Sequence, residues 1–242
     1  MSGHSKWSQI KRQKGAADAK RGVAFGKLAN AIILAAKKGG GNTEANFSLK
    51  MAIEKAKTGL MPKENIERAI KRGTGEIAGA QIEEILYEAI GPAGISIIIE
   101  AATDNKNRTA PEIKNTLAKF GAKMASMGAA TYQFEKKGKI IIDLKGQDKE
   151  NIELISIDAG SDDFAEDGED LAVFTKPNEL EQVKKNLENQ GLLVKEAQLI
   201  WEPKDTVVIS DKVQEDKIIE LLEMLENMDD VSAIFSNFDV EV

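Results

Sequence analysis

Positively charged side chains that could bind phosphate are concentrated in the first third of the chain. Lys20 and Lys27 are seven residues apart, so they lie on one side of a helix, and Arg21 lies beside that line. A row of cationic side chains can contact several phosphates at once, and binding then releases counterions from the polyanion. The pattern therefore predicts a phosphate-binding surface. Its members are Lys6, Lys11, Arg12, Lys14, Lys20, Arg21, Lys27, Lys37, Lys38, Arg68, Lys71 and Arg72.

Two further residues are candidates for the same surface. Trp7 lies among the basic residues, where its indole could stack on an unpaired base or anchor the N-terminal arm against the helices. Neighbouring His4 we interpret as an ordinary exposed side chain. Arg108 lies in the polar run 104–109, which could bind an anion at a helix N-terminus or form a capped turn. We assign Arg108 to the surface because a capping role does not need a guanidinium.

The carboxylate-rich segment 158–170, DAGSDDFAEDGED, has the composition of a metal site but not its spacing. It lacks the ordered alternation and the terminal Glu of a calcium loop, so we interpret it as an acidic loop between a helix and a strand. The glycines at 39–41 lack the Lys-Ser/Thr of a phosphate loop, and no GxSxG motif or paired acid and base is present. The sequence therefore predicts no catalytic residue, no metal and no cofactor.

Charge is sorted along the chain. Residues 1–79 contain sixteen Lys and Arg against six Asp and Glu, a net charge of +10. Residues 80–150 contain ten of each, and residues 151–242 contain seven against twenty-four, a net charge of −17. This polarity predicts that one end of the chain contacts a polyanion and the other does not, although a solvated surface is the simpler explanation of any charged run.

Composition excludes several classes of protein. The 242 residues include no cysteine and one histidine, which argues against disulfides, zinc sites and histidine-based catalysis. No apolar run approaches the roughly 20 residues of a membrane span, and the N-terminus lacks the apolar core of a secretory signal. The expectation is a cytoplasmic globular protein with no membrane partner and no small-molecule substrate.

The pattern of apolar residues predicts three short helices and then mixed α and β structure. A helix over 16–38 ends at the glycines, a second ends near Gly59, and a third begins at Pro62. The next part predicts strands over 83–90 and 94–102, a helix opened by a capping box at Thr109, and a strand over 129–135.

The C-terminal tail predicts a strand, a helix over 211–227 and a strand, which is too little to bury its own sheet. We therefore expect the tail to pair with residues 80–135 and the middle of the chain to form an insertion. The predicted class is α+β: an N-terminal three-helix bundle followed by two α+β sheet domains, the second inserted into the first. The predicted domains are a basic helical domain (1–79), a discontinuous α+β domain (80–136 plus 204–242) and an inserted acidic α+β domain (137–203).

Several motifs, in order, resemble those of the YebC/PmpR family. They are GHSKW at 3–7, AADAKRG at 16–22, GGG at 39–41 followed by ANFSLKMAIEKAK, IERAIKRGTG at 66–75, YEAIGPAG at 87–94 and DNKNRT at 104–109. The resemblance spans the chain and is dense over residues 3–109; KMASMGAATYQF at 123–134 keeps only the general shape of the family's Gly-rich segment. It implies three domains, no enzymatic activity and regulation of gene expression, and it supports the basic N-terminal positions and Arg108 as site residues.

The resemblance implies two modes of action, transcriptional regulation with DNA binding or translation on the ribosome, as in mitochondrial relatives that activate synthesis of cytochrome oxidase subunit I. The candidate partners are therefore ribosomal RNA or promoter DNA, with ribosomal proteins as candidates for the acidic domain. RNA is favoured because the helical part has no evident base-reading helix and the acidic end would be repelled along a duplex. The alternatives are an acidic adaptor that binds proteins without touching nucleic acid, and a hydrolase using the carboxylates of 158–170.

Overall fold

A computed structural model of the chain describes residues 21–144, 146 and 148–240, with side chains from residue 25 onward. Three helices come first: α1 (Arg21–Gly39), α2 (Phe47–Thr58) and α3 (Lys63–Gly73). They share an apolar core that includes Ile32, Leu49 and Ile66. The helical stretch predicted before residue 21 lies outside the described residues.

Asn46 closes the turn between α1 and α2. Its side-chain oxygen accepts the amide hydrogen of Leu49 as the N-cap of α2, and its amide nitrogen donates to the carbonyls of Ala35 and Gly40. Gly40 has a φ of +80°, a backbone conformation that glycine adopts at little cost. The glycine run thus ends α1 as predicted. Pro62 is the cap of α3 rather than its first helical residue.

A four-stranded antiparallel sheet, which we call the middle sheet, follows the helices. Its strands are β1 (Glu83–Ile90), β2 (Ser96–Thr103), β3 (Lys123–Ala125) and, from the tail, β9 (Val231–Ser236), in the order β3-β1-β2-β9. Helices α4 (Lys106–Lys119) and α7 (Lys212–Glu226) pack on one face, where Ile97 and Ile99 share a core with Leu117 and Leu221. The pairing of β9 with β2 confirms that the tail completes this sheet.

The insertion forms a second antiparallel sheet with the order β5-β6-β4-β7. Its elements are β4 (Phe134–Asp143), α5 (Lys149–Asp158), β5 (Asp163–Asp167), β6 (Asp170–Thr175), α6 (Leu180–Asn189) and β7 (Val194–Pro203). The chain enters on β4 and leaves on β7, and these strands pair from Phe134 opposite Pro203 onward. The predicted α+β class, with three N-terminal helices and two sheets, the second inserted into the first, is confirmed. The residue boundaries of the three domains stay a prediction.

Three local predictions are wrong, each because a distant partner decides the conformation. The capping box at Thr109 is not the start of α4, which begins at Lys106 with Asn105 as its cap; the Thr109 hydroxyl instead donates to Asp230. The strand predicted over 129–135 is a 3₁₀ turn over Thr131–Gln133 followed by β4, because the distant Glu88 carboxylate accepts the amide hydrogens of Ala130 and Thr131.

The third error concerns the tail. Its first strand, β8 (Val207–Ile209), does not join the middle sheet but pairs in parallel with β10 (Phe238–Val240), which the sequence did not predict. Among the described residues, no helix is both long and apolar enough to cross a membrane.

We expect a chain that stops after Lys204 to fail to fold normally. The truncation removes β9 and α7, and with them the buried residues Leu221, Leu222 and Ile234, so the edge of β2 and one apolar face become exposed. The product should aggregate or lose its cooperative thermal transition, as measured by size-exclusion chromatography and circular dichroism. A chain that stops after Val240 is the control; a monomeric truncation with a normal transition would contradict the proposed discontinuous domain.

Candidate nucleic-acid interface

The basic residues predicted to bind phosphate fall into three groups. Lys6, Trp7, Lys11, Arg12, Lys14 and Lys20 lie outside the described residues. Arg21 begins α1. The remaining six residues are described. Four of them contact the middle unit, by which we mean the middle sheet, its two helices and the residues that lead into β1, and the other two point outward.

Three lysines of α1 attach the helices to the middle unit. The Lys27 ammonium donates to the carbonyl of Glu226 at the C-terminal end of α7, where the helix dipole favours a cation. The Lys37 ammonium donates to the Ile82 carbonyl at 3.2 Å, and Lys38 pairs with Glu84. These lysines therefore have structural partners that the sequence did not reveal, and their role as phosphate contacts stays a prediction.

The basic residues of α3 differ in role: one contacts the chain itself, and two are exposed. Arg72 donates from Nη2 to the Ala80 carbonyl at 2.8 Å and packs over Gly79, where a Cβ atom would come within 2.6 Å of its Nε. Arg68 and Lys71, three residues apart on the helix, are exposed. These two side chains are available to a ligand.

Three exposed lysines on α2 were not among the predicted site residues, and one of them, Lys55, is paired with Glu196. Lys50 and Lys57 are seven residues apart and are both exposed. The seven-residue spacing that selected Lys20 and Lys27 would have found them as well. The helical part thus presents Lys50, Lys57, Arg68 and Lys71 to solvent, in addition to whatever the preceding residues contribute.

Arg108 has a structural partner 122 residues away. Its Nη2 donates to both carboxylate oxygens of Asp230, at 2.9 and 2.8 Å, and lies 3.3 Å from Asp104. Arg108 therefore has a structural partner that the sequence did not reveal, although α4 is capped by Asn105 and needs no guanidinium there. Its side chain is still 48% exposed, and contact with nucleic acid stays a prediction.

Asp230 is almost fully buried and accepts hydrogen bonds from two hydroxyls as well as from Arg108. Thr109 donates at 2.6 Å and Thr103 at 3.1 Å. Burial alone would raise the pKa of this carboxyl group, but these hydrogen bonds and the guanidinium charge outweigh it and hold the pKa below its ordinary value. The polar run 104–109 is thus a capped helix start held by a distant carboxylate.

We expect Asp230→Asn to lower the free energy of unfolding by about 2 kcal/mol at neutral pH, because a charged acceptor of several hydrogen bonds is lost. A lowered pKa contributes stability that is present above the unfolded value of about 3.9 and is lost as pH falls through the folded value. The difference between wild type and variant should therefore shrink below about pH 4. Urea unfolding at pH 7 and pH 3 measures it, with exposed Asp229→Asn as the control; a constant difference would contradict this account.

In the acidic segment 158–170, residues 159–162 form the predicted link between helix and strand, and the rest belongs to the hairpin of β5 and β6. Asp167 accepts from Lys139 at 3.1 Å, and Lys195 lies 2.7 Å from Asp170 and 3.3 Å from Asp143. The buried carboxylates thus face lysines. Within the part of the chain that the structure describes, no group of three or more His, Cys, Asp or Glu residues converges on a point where a metal could bind.

Helix α2 packs against the inserted sheet. The Glu54 carboxylate lies 2.9 Å from Lys184, and Lys55 lies 3.1 Å from Glu196. Lys184 is nearly buried, which opposes its charged form, but its hydrogen bonds to Glu54 and Glu188 outweigh burial and hold its pKa above the ordinary value. A cavity of about 470 Å³ lies beside these pairs, between the N-terminal helices and the inserted sheet. The basic and acidic parts of the chain are therefore in direct contact.

Comparison with known proteins agrees with this architecture. Residues 5–76 match the profile described as the TACO1/YebC protein N-terminal domain, and residues 82–238 match the TACO1/YebC second and third domain. The chain belongs to the TACO1/YebC family. The division of the family profiles falls between α3 and β1, where the helical part gives way to the middle sheet.

Relatives within the TACO1/YebC family are similar over their whole length. A probable transcriptional regulatory protein of Thermotoga maritima is 46% identical over 100% of this chain and 95% of its own, and one of Persephonella marina is 45% identical over 99% and 96%. The crystal structure of a conserved hypothetical protein, Aq1575 from Aquifex aeolicus, is 42% identical, covers 98% of both chains and superposes with a TM-score of 0.91. The YebC resemblance predicted from the sequence is confirmed.

Proposed function

We propose that this TACO1/YebC chain is a non-enzymatic, cytoplasmic regulator of gene expression that binds nucleic acid through its basic helical part. The observation that carries the proposal is the separation of charge, with +10 over residues 1–79 and −17 over residues 151–242. A polyanion attracts the first part and repels the last, so it has one favoured side of approach. The names of the relatives, which describe probable transcriptional regulators, support the regulatory role.

The contact surface we propose combines the predicted N-terminal residues with the outward-facing cations of α2 and α3. Lys50, Lys57, Arg68 and Lys71 are exposed. Arg72, Lys27 and Lys37 contribute less, because each already donates to a backbone carbonyl. Structured or single-stranded RNA, including ribosomal RNA, is the favoured partner, and promoter DNA is the second candidate.

We expect the joint change of Lys11, Arg12 and Lys14 to Ala in the full chain to weaken RNA binding irrespective of sequence. Each lost phosphate contact should lower the slope of log affinity against log salt by about one. Fluorescence anisotropy with a labelled RNA hairpin at several salt concentrations measures both quantities. Changing Lys185, Lys212 and Lys217 to Ala removes the same charge from the acidic part and should leave the slope unchanged.

The same titration separates the two nucleic acids and the alternative function. A labelled promoter-length DNA duplex and cosedimentation with ribosomal subunits provide the comparison. Tight, salt-dependent binding of the duplex alone would favour transcriptional regulation. If neither RNA nor DNA binds and only proteins cosediment, the chain is the acidic adaptor and the proposal is wrong.

We further propose that the insertion bridges to a second partner, with ribosomal proteins as the candidate. Residues 137–203 contain eight Lys against sixteen Asp and Glu, which suits a basic protein surface and not a phosphate backbone. The chain can be rejoined without the insertion because the Lys204 amide donates to the Gln133 carbonyl at 2.8 Å, which holds the two ends together.

We expect a chain in which a short glycine linker replaces residues 137–203 to bind RNA as tightly as wild type or more tightly, since the deletion removes repulsive charge. Cosedimentation with ribosomes should be lost. Anisotropy and sedimentation measure these results, and size-exclusion chromatography checks that the variant is monodisperse. Loss of RNA binding by a monodisperse variant would mean that the insertion itself contacts nucleic acid.

A further inference from the structure

The loop that joins β3 to β4, residues 126–133, presents an aromatic ring to solvent. Tyr132 is 66% exposed and Met127 is 95% exposed. An exposed ring on a loop ordinarily samples several orientations, and ordering it opposes binding. In this loop, which we call the platform loop, both the backbone and the ring are held by hydrogen bonds.

A buried carboxylate fixes the backbone of the platform loop. Glu88 of β1 is 3% exposed and accepts from the amides of Gly128, Ala130 and Thr131 at 2.7, 2.6 and 2.9 Å. Burial alone would raise the pKa of Glu88, but these amides and the Thr131 hydroxyl outweigh it and hold the pKa below its ordinary value. The loop is thus wrapped around an anion supplied by the protein itself, which resists a change of its shape.

A second set of hydrogen bonds fixes Tyr132. Its hydroxyl accepts from the Gln133 side chain at 2.9 Å, and its carbonyl accepts from the Lys204 ammonium at 2.9 Å. Gln133 is held in turn by the Asn237 amide at 2.9 Å. The ring hydroxyl is therefore held by Gln133 and the backbone of Tyr132 by Lys204, while most of the residue stays exposed.

We infer that Tyr132 is a stacking platform for an unpaired base of single-stranded RNA. A preorganised aromatic face binds any base, because every base has a π-face, and it pays little ordering entropy. The ammonium of exposed Lys204 contacts the backbone carbonyl of Tyr132, which places a cation where the phosphate next to a stacked base would pass. This inference rests on the proposed function, since it names the part of the RNA that the chain would read.

A protein segment is the other class of occupant, and the surface suits it less well. A protein interface needs a contiguous apolar centre of several residues. The platform loop offers only Met127 and Tyr132 as large exposed apolar side chains, and the exposed Lys204 contacts the Tyr132 carbonyl. An isolated ring beside a lysine fits a base with its phosphate.

The test compares Tyr132→Ala and Tyr132→Phe in the full chain with two probes, a labelled twelve-nucleotide poly(A) strand and a labelled duplex RNA of the same length. We expect Tyr132→Ala to weaken binding of the single strand roughly tenfold with an unchanged salt slope, because stacking releases no counterions. Tyr132→Phe keeps the ring and loses only the hydrogen bond from Gln133, so its affinity should fall between that of Tyr132→Ala and that of wild type. Binding of the duplex should not change in either variant. Leu154→Ala, at another exposed apolar residue, is the matched control.

A second measurement does not depend on affinity. Ultraviolet irradiation with a 5-iodouridine strand should crosslink at Tyr132, and mass spectrometry identifies the crosslinked peptide. Suppose that wild type binds the strand in a salt-dependent way. If Tyr132→Ala then binds it as tightly, or if the crosslink lies at another residue, Tyr132 is not a stacking platform, but the proposed function stands. Equal loss in both variants with unchanged thermal stability would also overturn stacking. If wild type binds neither probe, the proposed function fails as well.

Discussion

A single buried carboxylate, that of Asp230, joins the C-terminal tail to the start of α4. The backbone carbonyl of Asp230 also accepts the amide hydrogen of Ala102 at 2.8 Å, so the same residue helps to position β9 beside β2. A carboxylate is costly to bury, and only several hydrogen bonds together with an opposite charge offset that cost. Thr103, Thr109 and Arg108 provide them. This closure fixes β9 and the start of α4 relative to β2, beside the apolar core that the sheet shares with its helices.

The contacts of the helical part change how its charge should be interpreted. A count of lysines and arginines treats them as equivalent, but Lys27 and Arg72 donate to carbonyls of the middle unit, whereas Arg68 and Lys71 are exposed. Cations that hold two units together are less available to a polyanion. The charge of a basic segment is therefore an upper bound on its capacity for phosphate, and the contacts within the chain decide the rest.

Local signals predicted local structure well. The cap Asp211 accepts the amide hydrogen of Val213, as the helix predicted over 211–227 requires. The capping box predicted at Thr109 is absent because the Thr109 hydroxyl binds the Asp230 carboxylate instead of capping the backbone three residues later. The parallel pairing of β8 with β10, and the ion pair of Arg108, join residues that are far apart in sequence, and apolar spacing carries no information about such partners. The sequence predicted which residue types form the site, but not which of them are already engaged.

The position of β9 has a consequence for the order in which the molecule can assemble. Strand β9, which pairs with β2, begins 128 residues after Thr103, whereas the inserted sheet pairs only strands between Phe134 and Pro203. During synthesis the insertion can therefore fold while one edge of β2 is still unpaired. Over that interval the apolar segment ISIII at 95–99, which leads into β2, is the part of the nascent chain most exposed to mispairing with another chain. Chaperone dependence should accordingly concentrate in the seconds before the tail leaves the ribosomal tunnel.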